Sequence, residues 1–415
     1  MEEGNLPDGE PSAQAEGTDK PLEGKHVVLG ITGSIAAYKG ADLASKLTQE
    51  GASVDVVMTR ESRQFVTPLT FTSLTGRVVI SEMFDVSAPR ISHVELGNRA
   101  DIVVIAPATA NVIAKLAAGI SDDELTCVVL ASKAPLLIAP AMHAAMYGNK
   151  ATQENIAKLK ARGVAFVGPA SGRLASGGYG AGRFVETSEV IGAIHQVLGR
   201  GGDLAGRRVV VTAGGTQEPI DPVRHISNRS SGKMGYAIAA AARDRGAAVT
   251  LVSGPAALPQ PYGVAVVAVS TAAEMLEAVS LATERADVLI MAAAVGDYRM
   301  AHASTHKIKK GQGTLVLELA PNPDILKKVK GKFIKVGFAA ESEELVLNAR
   351  RKLKEKSLDL IVANDITAAG SGFGSDQNRV SIIDRRGKVE DLPLQLKSVV
   401  ANRILDRVVA LLPKE

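Results

Sequence analysis

At 415 residues, 46% of them apolar and 3% aromatic with no Trp, the chain is long enough for two domains with cores of Ala, Val, Ile and Leu, as in layered α/β proteins. Its 48 basic and 44 acidic residues leave a formal charge of +4 without a long basic block, so nucleic acid is not expected as a main partner. The one cysteine, Cys127, excludes a disulfide framework or zinc cluster within one chain, and no apolar run reaches the roughly 18 residues of a membrane span.

Residues 1–23, rich in Glu, Gly, Pro and Ala, read as a disordered tail. Their acidic start lacks the basic and apolar parts of a signal peptide, and with the lone thiol this fits a cytoplasmic protein. Short β-branched runs then alternate with helical stretches. Strands are expected at 26–31, 53–58, 101–106, 135–139 and 164–167, of which 101–106 and 135–139 are apolar enough to be buried on both faces. Helices are expected from the 32–39 segment to about residue 50, and at 110–118, 123–132, 152–162 and 188–198. A Gly/Ser-rich loop is expected at 170–182, and Cys127 is expected in core packing. Glycines at 199–202 mark a boundary, which places one domain at 24–199, a linker at 200–206 and a second domain at 207–415. There the alternation restarts, with strands at 208–212, 248–252, 265–269, 287–291, 335–338 and 358–362 and helices at 235–245, 272–285, 324–330 and 343–356. Residues 309–319 read as a polar loop, 379–383 and 389–394 as a hairpin, and 396–412 as an amphipathic closing helix. The fold class is α/β, two doubly wound domains in tandem.

Ligands of such folds bind outside the carboxyl ends of the strands. Gly33 and Ser34 follow a strand and open a helix, where backbone amides and a hydroxyl can meet a phosphate; a plain helix N-cap reads about as well on those residues alone. A dinucleotide is disfavoured, because G-x-G-x-x-G is absent and the second strand runs into Thr59-Arg60 where a ribose-binding acid would be wanted. Two further strand ends read Ala106-Pro-Ala-Thr-Ala-Asn111 and Ala139-Pro-Ala-Met-His143. His93, on a polar turn, is by itself a surface histidine. In the second half, 212–235 joins a strand, a glycine turn, a loop carrying Asp221, Arg224, Asn228, Arg229, Ser230, Ser231 and Lys233, and a helix N-terminus. That is the layout of an anion cradle.

Together these motifs carry a resemblance. Residues 26–184 are similar to flavin-containing cysteine decarboxylases, through Gly33-Ser-Ile-Ala-Ala-Tyr-Lys39, Ser92-His93, Ala106-Pro-Ala-Thr-Ala-Asn111 and Pro140-Ala-Met-His-Ala-Ala-Met146. Residues 206–412 resemble phosphopantothenate–cysteine ligases, through Ile226-Ser-Asn-Arg-Ser-Ser-Gly-Lys-Met-Gly235, Ala292-Ala-Ala-Val-Gly-Asp-Tyr-Arg299, Lys307-Ile-Lys-Lys310, Pro323-Asp-Ile-Leu326, Val336-Gly-Phe-Ala-Ala-Glu341 and Ala363-Asn-Asp365. Joined in one chain they resemble the bifunctional enzymes of coenzyme A biosynthesis, a flavodoxin-like flavoprotein domain followed by a Rossmann-like ligase domain. The resemblance implies CTP-dependent ligation of 4′-phosphopantothenate to cysteine through an acyl-cytidylate. FMN-dependent decarboxylation of phosphopantothenoylcysteine to 4′-phosphopantetheine would follow. It also implies a homo-oligomer, a dodecamer combining trimers of the flavin half with dimers of the ligase half.

On this resemblance FMN lies across Gly33, Ser34, Thr59, Ser62, Pro107, Ala108, Thr109 and Asn111, with His93 as the catalytic histidine. CTP lies on Met291, Ala292, Ala293, Asp297, Lys307, Pro323, Asp324, Ile325, Leu326, Phe338, Lys352 and Lys356. Asn228 holds the acyl-cytidylate, Lys307 stabilises the transferring phosphate, and Asp297 is a candidate Mg2+ or ribose contact. Attack on an α-phosphate concentrates negative charge, so the site needs cations and a metal. Lys352 and Lys356 share one helix face, which without the other motifs would read as solvated surface. Asn228 and Lys307 alone would be a turn asparagine and a surface lysine; with the other motifs, Asp297 and Lys307 are expected to meet the 212–235 stretch at the sheet edge.

Two residues depart from the family pattern. His143 stands where Asn is usual, and Ser176 where the flap usually carries Cys. A neutral imidazole donates and accepts only through opposite edges, and an alkanol can only relay the proton that a thiol of pKa about 8.5 would deliver. An active decarboxylase with a changed donor is one reading; an active ligase whose first half binds FMN only structurally is the other. A dehydrogenase would need the missing acid, and a non-enzymatic flavin-binding hub would take FMN but not CTP.

Overall fold

The structure, a computed structural model, describes residues 20–81, 92–175, 177–311, 314–341, 344–365, 372 and 374–413. The first half runs β1 (His26–Ile31), α1 (Ala37–Gln49), β2 (Ser53–Met58), α2 (Pro68–Thr75), α3 (His93–Arg99), β3 (Ile102–Ala108), α4 (Ala110–Ala118), α5 (Glu124–Ala131), β4 (Leu136–Pro140), α6 (Ala144–Tyr147), α7 (Lys150–Ala161), β5 (Ala165–Phe166), β6 (Ala170–Arg173), β7 (Tyr179–Arg183) and α8 (Thr187–Leu198). Five strands form a parallel sheet in the order β2-β1-β3-β4-β5. Alternate residues of β1 feed opposite faces. Val27, Leu29 and Ile31 join a core with Leu43, Leu47 and Ile194, while Val28 joins another with Ile113, Leu125 and Leu159. Every residue of β3 is buried, as expected of a strand covered on both sides. Thr109 caps α4 by accepting from the Val112 amide, and left-handed Gly119 ends it.

The second half runs β8 (Arg208–Ala213), β9 (Gln217–Pro219), β10 (His225–Ser227), α9 (Lys233–Asp244), β11 (Ala248–Ser253), β12 (Ala265–Ala268), α10 (Ala272–Ala282), β13 (Val288–Met291), β14 (Tyr298–Met300), β15 (Leu319–Pro321), α11 (Ile325–Lys328), β16 (Ile334–Glu341), α12 (Leu345–Glu355), β17 (Leu360–Asp365), β18 (Gln377–Asp384), β19 (Val389–Leu396) and α13 (Lys397–Val409). Its sheet has the order β12-β11-β8-β13-β16-β17-β18-β19, parallel from β12 to β17 and antiparallel through the final hairpin. Helix α9 lies tightly on β8: a Cβ on Gly235 would meet the Thr212 carbonyl at 2.6 Å.

The expected strands and helices are present with ends moved by a few residues. Four expectations need correction. The supposed loop at 170–182 is an antiparallel ribbon, β6 with β7. Leu22, assigned to the tail, is 2% exposed and packs in the first core; residues 1–19 lie outside the described residues. Leu204, assigned to the linker, is fully buried in the second core. Cys127 is only half-buried, with its thiol 3.5 Å from the Ser121 carbonyl, because its turn of α5 faces the edge of the core.

Candidate active sites

Both sheets reverse their strand order beside the first strand of the domain, between β1 and β3 and between β8 and β13, and each reversal opens a crevice at the carboxyl ends. In the first half Thr32 Oγ1 donates to the Pro107 carbonyl (2.7 Å) and accepts from the Thr109 amide (3.0 Å), tying the two strand ends together. Gly33 faces Glu61 so closely that a Cβ would meet the Glu61 Cβ at 2.5 Å. Thr59 is 4% exposed and its Oγ1 has no partner, while Ser62 Oγ donates to the Thr59 carbonyl (2.7 Å). A buried hydroxyl left unpaired costs about 1–3 kcal/mol. A phosphate oxygen there would satisfy it, so the residues present fit a phosphate-bearing cofactor.

A cavity of about 700 Å³ runs from Gly33, Ser34 and Thr109 past Ala141, Met142, His143 and Met146 to Arg173–Ala175 of the ribbon region and Phe184. Gly182 holds the ribbon against this wall: its φ is 144°, and a Cβ there would collide with the Met142 carbonyl. Pro107 and Ala108 lie buried behind the cavity and Asn111 is exposed on α4. His143 caps α6, its Nδ1 accepting from the Ala145 amide at 3.2 Å. The neutral ring therefore carries its proton on Nε2. His93 does not line the cavity. It is the first residue of α3, capped by Ser92, with Nδ1 3.9 Å from Glu124 Oε1. Ser176 lies outside the described residues.

In the second half Thr212 Oγ1 accepts from the Ala293 amide (3.0 Å) and Thr216 Oγ1 from the Gly296 amide (2.9 Å), so the loop after β13 is fixed to the loop after β8. Asn228 Nδ2 donates to the Ala294 and Val295 carbonyls, each at 3.3 Å. A cavity of about 610 Å³ gathers Asn228, the α9 start at Gly232 and Lys233, Met291, Ala292, Ala293, Asp297, Pro323, Asp324, Ile325, Leu326, Phe338 and Lys352. Lys356 stands behind this wall and pairs with Asp324 at 3.5 Å.

Lys307 does not join them. Its loop is held elsewhere: the Ile308 amide donates to Asp221 Oδ2 (3.1 Å) and Arg224 donates to the Ile308 carbonyl (2.5 Å). Burial alone would raise the Asp221 carboxyl, but the amides of Val223, Ile308 and Arg224 and the Arg224 charge hold it below the usual range. Its loop thus meets the 212–235 stretch at Asp221 and Arg224, while Lys307 is not among the residues that line this cavity with Asn228. Among the described residues no cluster of three His, Cys, Asp or Glu could hold a metal, and Asp297 is an exposed single carboxylate.

Asn378 and Lys397 also line this cavity, outside every motif read from the sequence, beside Lys233 of the expected cradle. Lys233 Nζ donates to Asp376 (2.6 Å) and to the Gly374 carbonyl (2.9 Å). Lys397, 7% exposed, donates to the carbonyls of Ser375 (2.5 Å) and Gly372 (3.1 Å). Burial, and then the Lys233 charge, push the Lys397 ammonium down. A signal existed: each lysine opens a helix, where the macrodipole disfavours a cation unless something nearby uses it.

The family described as DNA/pantothenate metabolism flavoprotein C-terminal domain matches residues 204–412, and the Flavoprotein family matches 16–199. The coenzyme A biosynthesis bifunctional protein of Vibrio vulnificus (strain CMCP6) is 44% identical over 398 residues, covering 94% of this chain and 99% of its own. The chain belongs to this family. It is a bifunctional enzyme of coenzyme A biosynthesis, with a flavoprotein decarboxylase half followed by a ligase half. The family's member in Bacillus subtilis (strain 168) is 45% identical over 397 residues, 94% of this chain and 98% of that one. A crystal structure of the C-terminal domain of a coenzyme A biosynthesis bifunctional protein is 43% identical and covers 50% of this chain and 96% of that chain, with a TM-score of 0.44. Among the described residues no helix is long and apolar enough to cross a membrane.

Proposed function

We propose that the second-half cavity activates the carboxylate of 4′-phosphopantothenate with CTP, and that the acyl-cytidylate is then opened by the amine of cysteine. The observation that carries this reading is the convergence of Asn228, the start of α9, Asp297, Asp324 and Lys352 on one cavity from loops and helices far apart in the chain. Amides at the α9 start suit phosphate oxygens, and Asn228, held by two carbonyls, is fixed where an acyl phosphate would lie. Mg2+ would be carried mainly by the triphosphate, with Asp297 as the protein's contribution. Asn228→Asp should let acyl-cytidylate accumulate, whereas Lys307→Gln should cut pyrophosphate release by about 10²–10³-fold. Both are read by pyrophosphate release and by trapping the cytidylate; wild-type behaviour of both variants would refute the assignment.

In the first half the reading is FMN, its phosphate at Gly33, Ser34, Thr59 and Ser62 and its ring toward Thr109 and His143. The unpartnered Thr59 hydroxyl supports this. When bound, FMN supplies two-electron chemistry at the thiol-bearing end of phosphopantothenoylcysteine. Around it His143 offers an N–H donor, and His93 exchanges a proton with substrate. A cytoplasmic location is proposed from the single cysteine alone. His93 and Lys307 each lie outside the cavity of their own chain, which supports a homo-oligomer in which a second copy brings them in. Light scattering of the full chain, with His93→Asn and His143→Leu protomers mixed, tests it: restored decarboxylation requires sites shared between copies.

A further inference from the structure

We propose that Glu124 is the positioning carboxylate of His93 in the decarboxylation reaction. The inference rests on the assignment of His93 above. Glu124 is the first residue of α5, whose start is fixed by a reciprocal box: the Thr126 amide donates to Asp123 Oδ1 (2.8 Å) and the Asp123 amide to Thr126 Oγ1 (3.2 Å). Helices α3 and α5 are in close contact, with Ser132 Oγ donating to the Gly97 carbonyl at 2.9 Å and a Cβ on Gly97 meeting the Ser132 amide nitrogen at 3.1 Å. The Glu124 carboxylate is therefore 7% exposed and directed at the first turn of α3, not at solvent.

Buried carboxylates are ordinarily paired. Among the described residues the group of opposite charge within reach of Glu124 is His93, at 3.9 Å. Other charges nearby are already engaged. Asp122 and Asp123 share Lys115 from α4 (2.7 and 3.2 Å), and Arg99 at the far end of α3 is held by Asp55 (2.6 Å). Burial raises the Glu124 carboxyl, as does the Asp123 charge, while His93 pulls it down.

A carboxylate on the Nδ1 side of His93 selects the tautomer with hydrogen on Nδ1, leaving the lone pair of Nε2 to take a proton. In that transfer Nε2 gains the substrate proton and the substrate keeps the electron pair. The Nδ1 hydrogen stays on nitrogen, so Glu124 remains ionised throughout. The gap exceeds hydrogen-bond length by roughly 1 Å. With the His93 side chain 39% exposed, rotation of its ring can close it as substrate seats.

The test uses the full-length, flavin-loaded chain with phosphopantothenoylcysteine as substrate, and pyrophosphate release from CTP in the same preparation as an internal control of folding. Glu124→Gln keeps the shape and loses the charge. It should lower kcat by about 10-fold or more with KM changed by less than about twofold. It should also move the acid limb of the wild-type profile, to which the buried Glu124 carboxyl contributes. Glu124→Asp should restore that limb and part of the rate. A Gln variant whose kcat and pH profile superimpose on wild type overturns the inference, as does an Asp variant slower than the Gln one; the Asp comparison also decides if the Gln variant loses flavin. His93→Asn separates the two layers. If it decarboxylates normally, the His93 assignment falls and this inference with it; if it is inactive while E124Q is unchanged, only the inference falls.

Discussion

At His143, where the resemblance implies an asparagine, the imidazole is placed to meet the same two demands. An asparagine capping α6 would accept the Ala145 amide through its oxygen and donate through its nitrogen. The imidazole does the first through Nδ1 and keeps Nε2–H for the second, on opposite edges of one ring. His143→Asn should accordingly keep decarboxylation within about threefold, whereas His143→Leu loses the cap, about 1 kcal/mol, and the donor, about 10²-fold in kcat. Turnover measured beside a thermal melt separates the two losses. The departure was legible in the motif, but the tautomer was not. An amide two residues further along the chain decides it, and only the fold fixes where that amide points. Lys307 is the converse case: its motif was plain, yet its loop is fastened to Asp221 and Arg224, away from the cavity of its own chain.

Among the elements, those that cross a core were readable and those that do not were missed. Strands such as β3 carry unbroken apolar runs because helices cover both faces, and that pattern survives in the sequence. The ribbon β6–β7 buries little, so its Gly, Ser and Ala composition is that of a loop, and its pairing comes from docking against Met142. The small ribbon β14–β15 escapes for the same reason, with three residues a side. Helix α9 was expected, but not how close it lies to β8. Gly235→Ala would drive a methyl into the Thr212 carbonyl and the Ala213 side chain, each 2.6 Å from the new Cβ. Relief comes by lifting the start of α9 away from the strand, which withdraws its amides from the ligase cavity. The expected result is a loss of about 1–3 kcal/mol in stability with a weakened nucleotide KM, while decarboxylation by the other half persists. Denaturant melts and the two assays run side by side check it.

Across the whole molecule, glycines at the boundary are packing residues. Gly199 is buried against the Asp244 backbone, with no room for a Cβ, and a Cβ on Gly192 would meet Tyr262 at 2.8 Å. Helices α8 and α9 therefore join the halves through a charged junction. His195 Nε2 lies 2.8 Å from Glu50 Oε2 of α1, and Arg243 bonds Asp244 (2.7 Å) and the Tyr262 carbonyl (2.5 Å). Burial works against a charged His195 ring, but the Glu50 hydrogen bond and the charges of Asp244 and Glu50 outweigh it, so its pKa rises above the ordinary 6.5. Asp244 is raised too, by burial first, with Arg243 and His195 opposing. The sign is the same for both groups. A raised folded pKa means stability that is complete below the unfolded value and lost as pH climbs through the folded one. For His195 that window lies above the ordinary 6.5, so the junction should weaken as pH rises through it. Limited proteolysis across residues 199–206, followed from about pH 6 to 9, should accelerate with pH in the wild type. His195→Gln should cleave at a rate nearly independent of pH and close to the alkaline wild-type rate. A wild-type rate that stays flat over that range would remove His195 as the titrating link between the two halves.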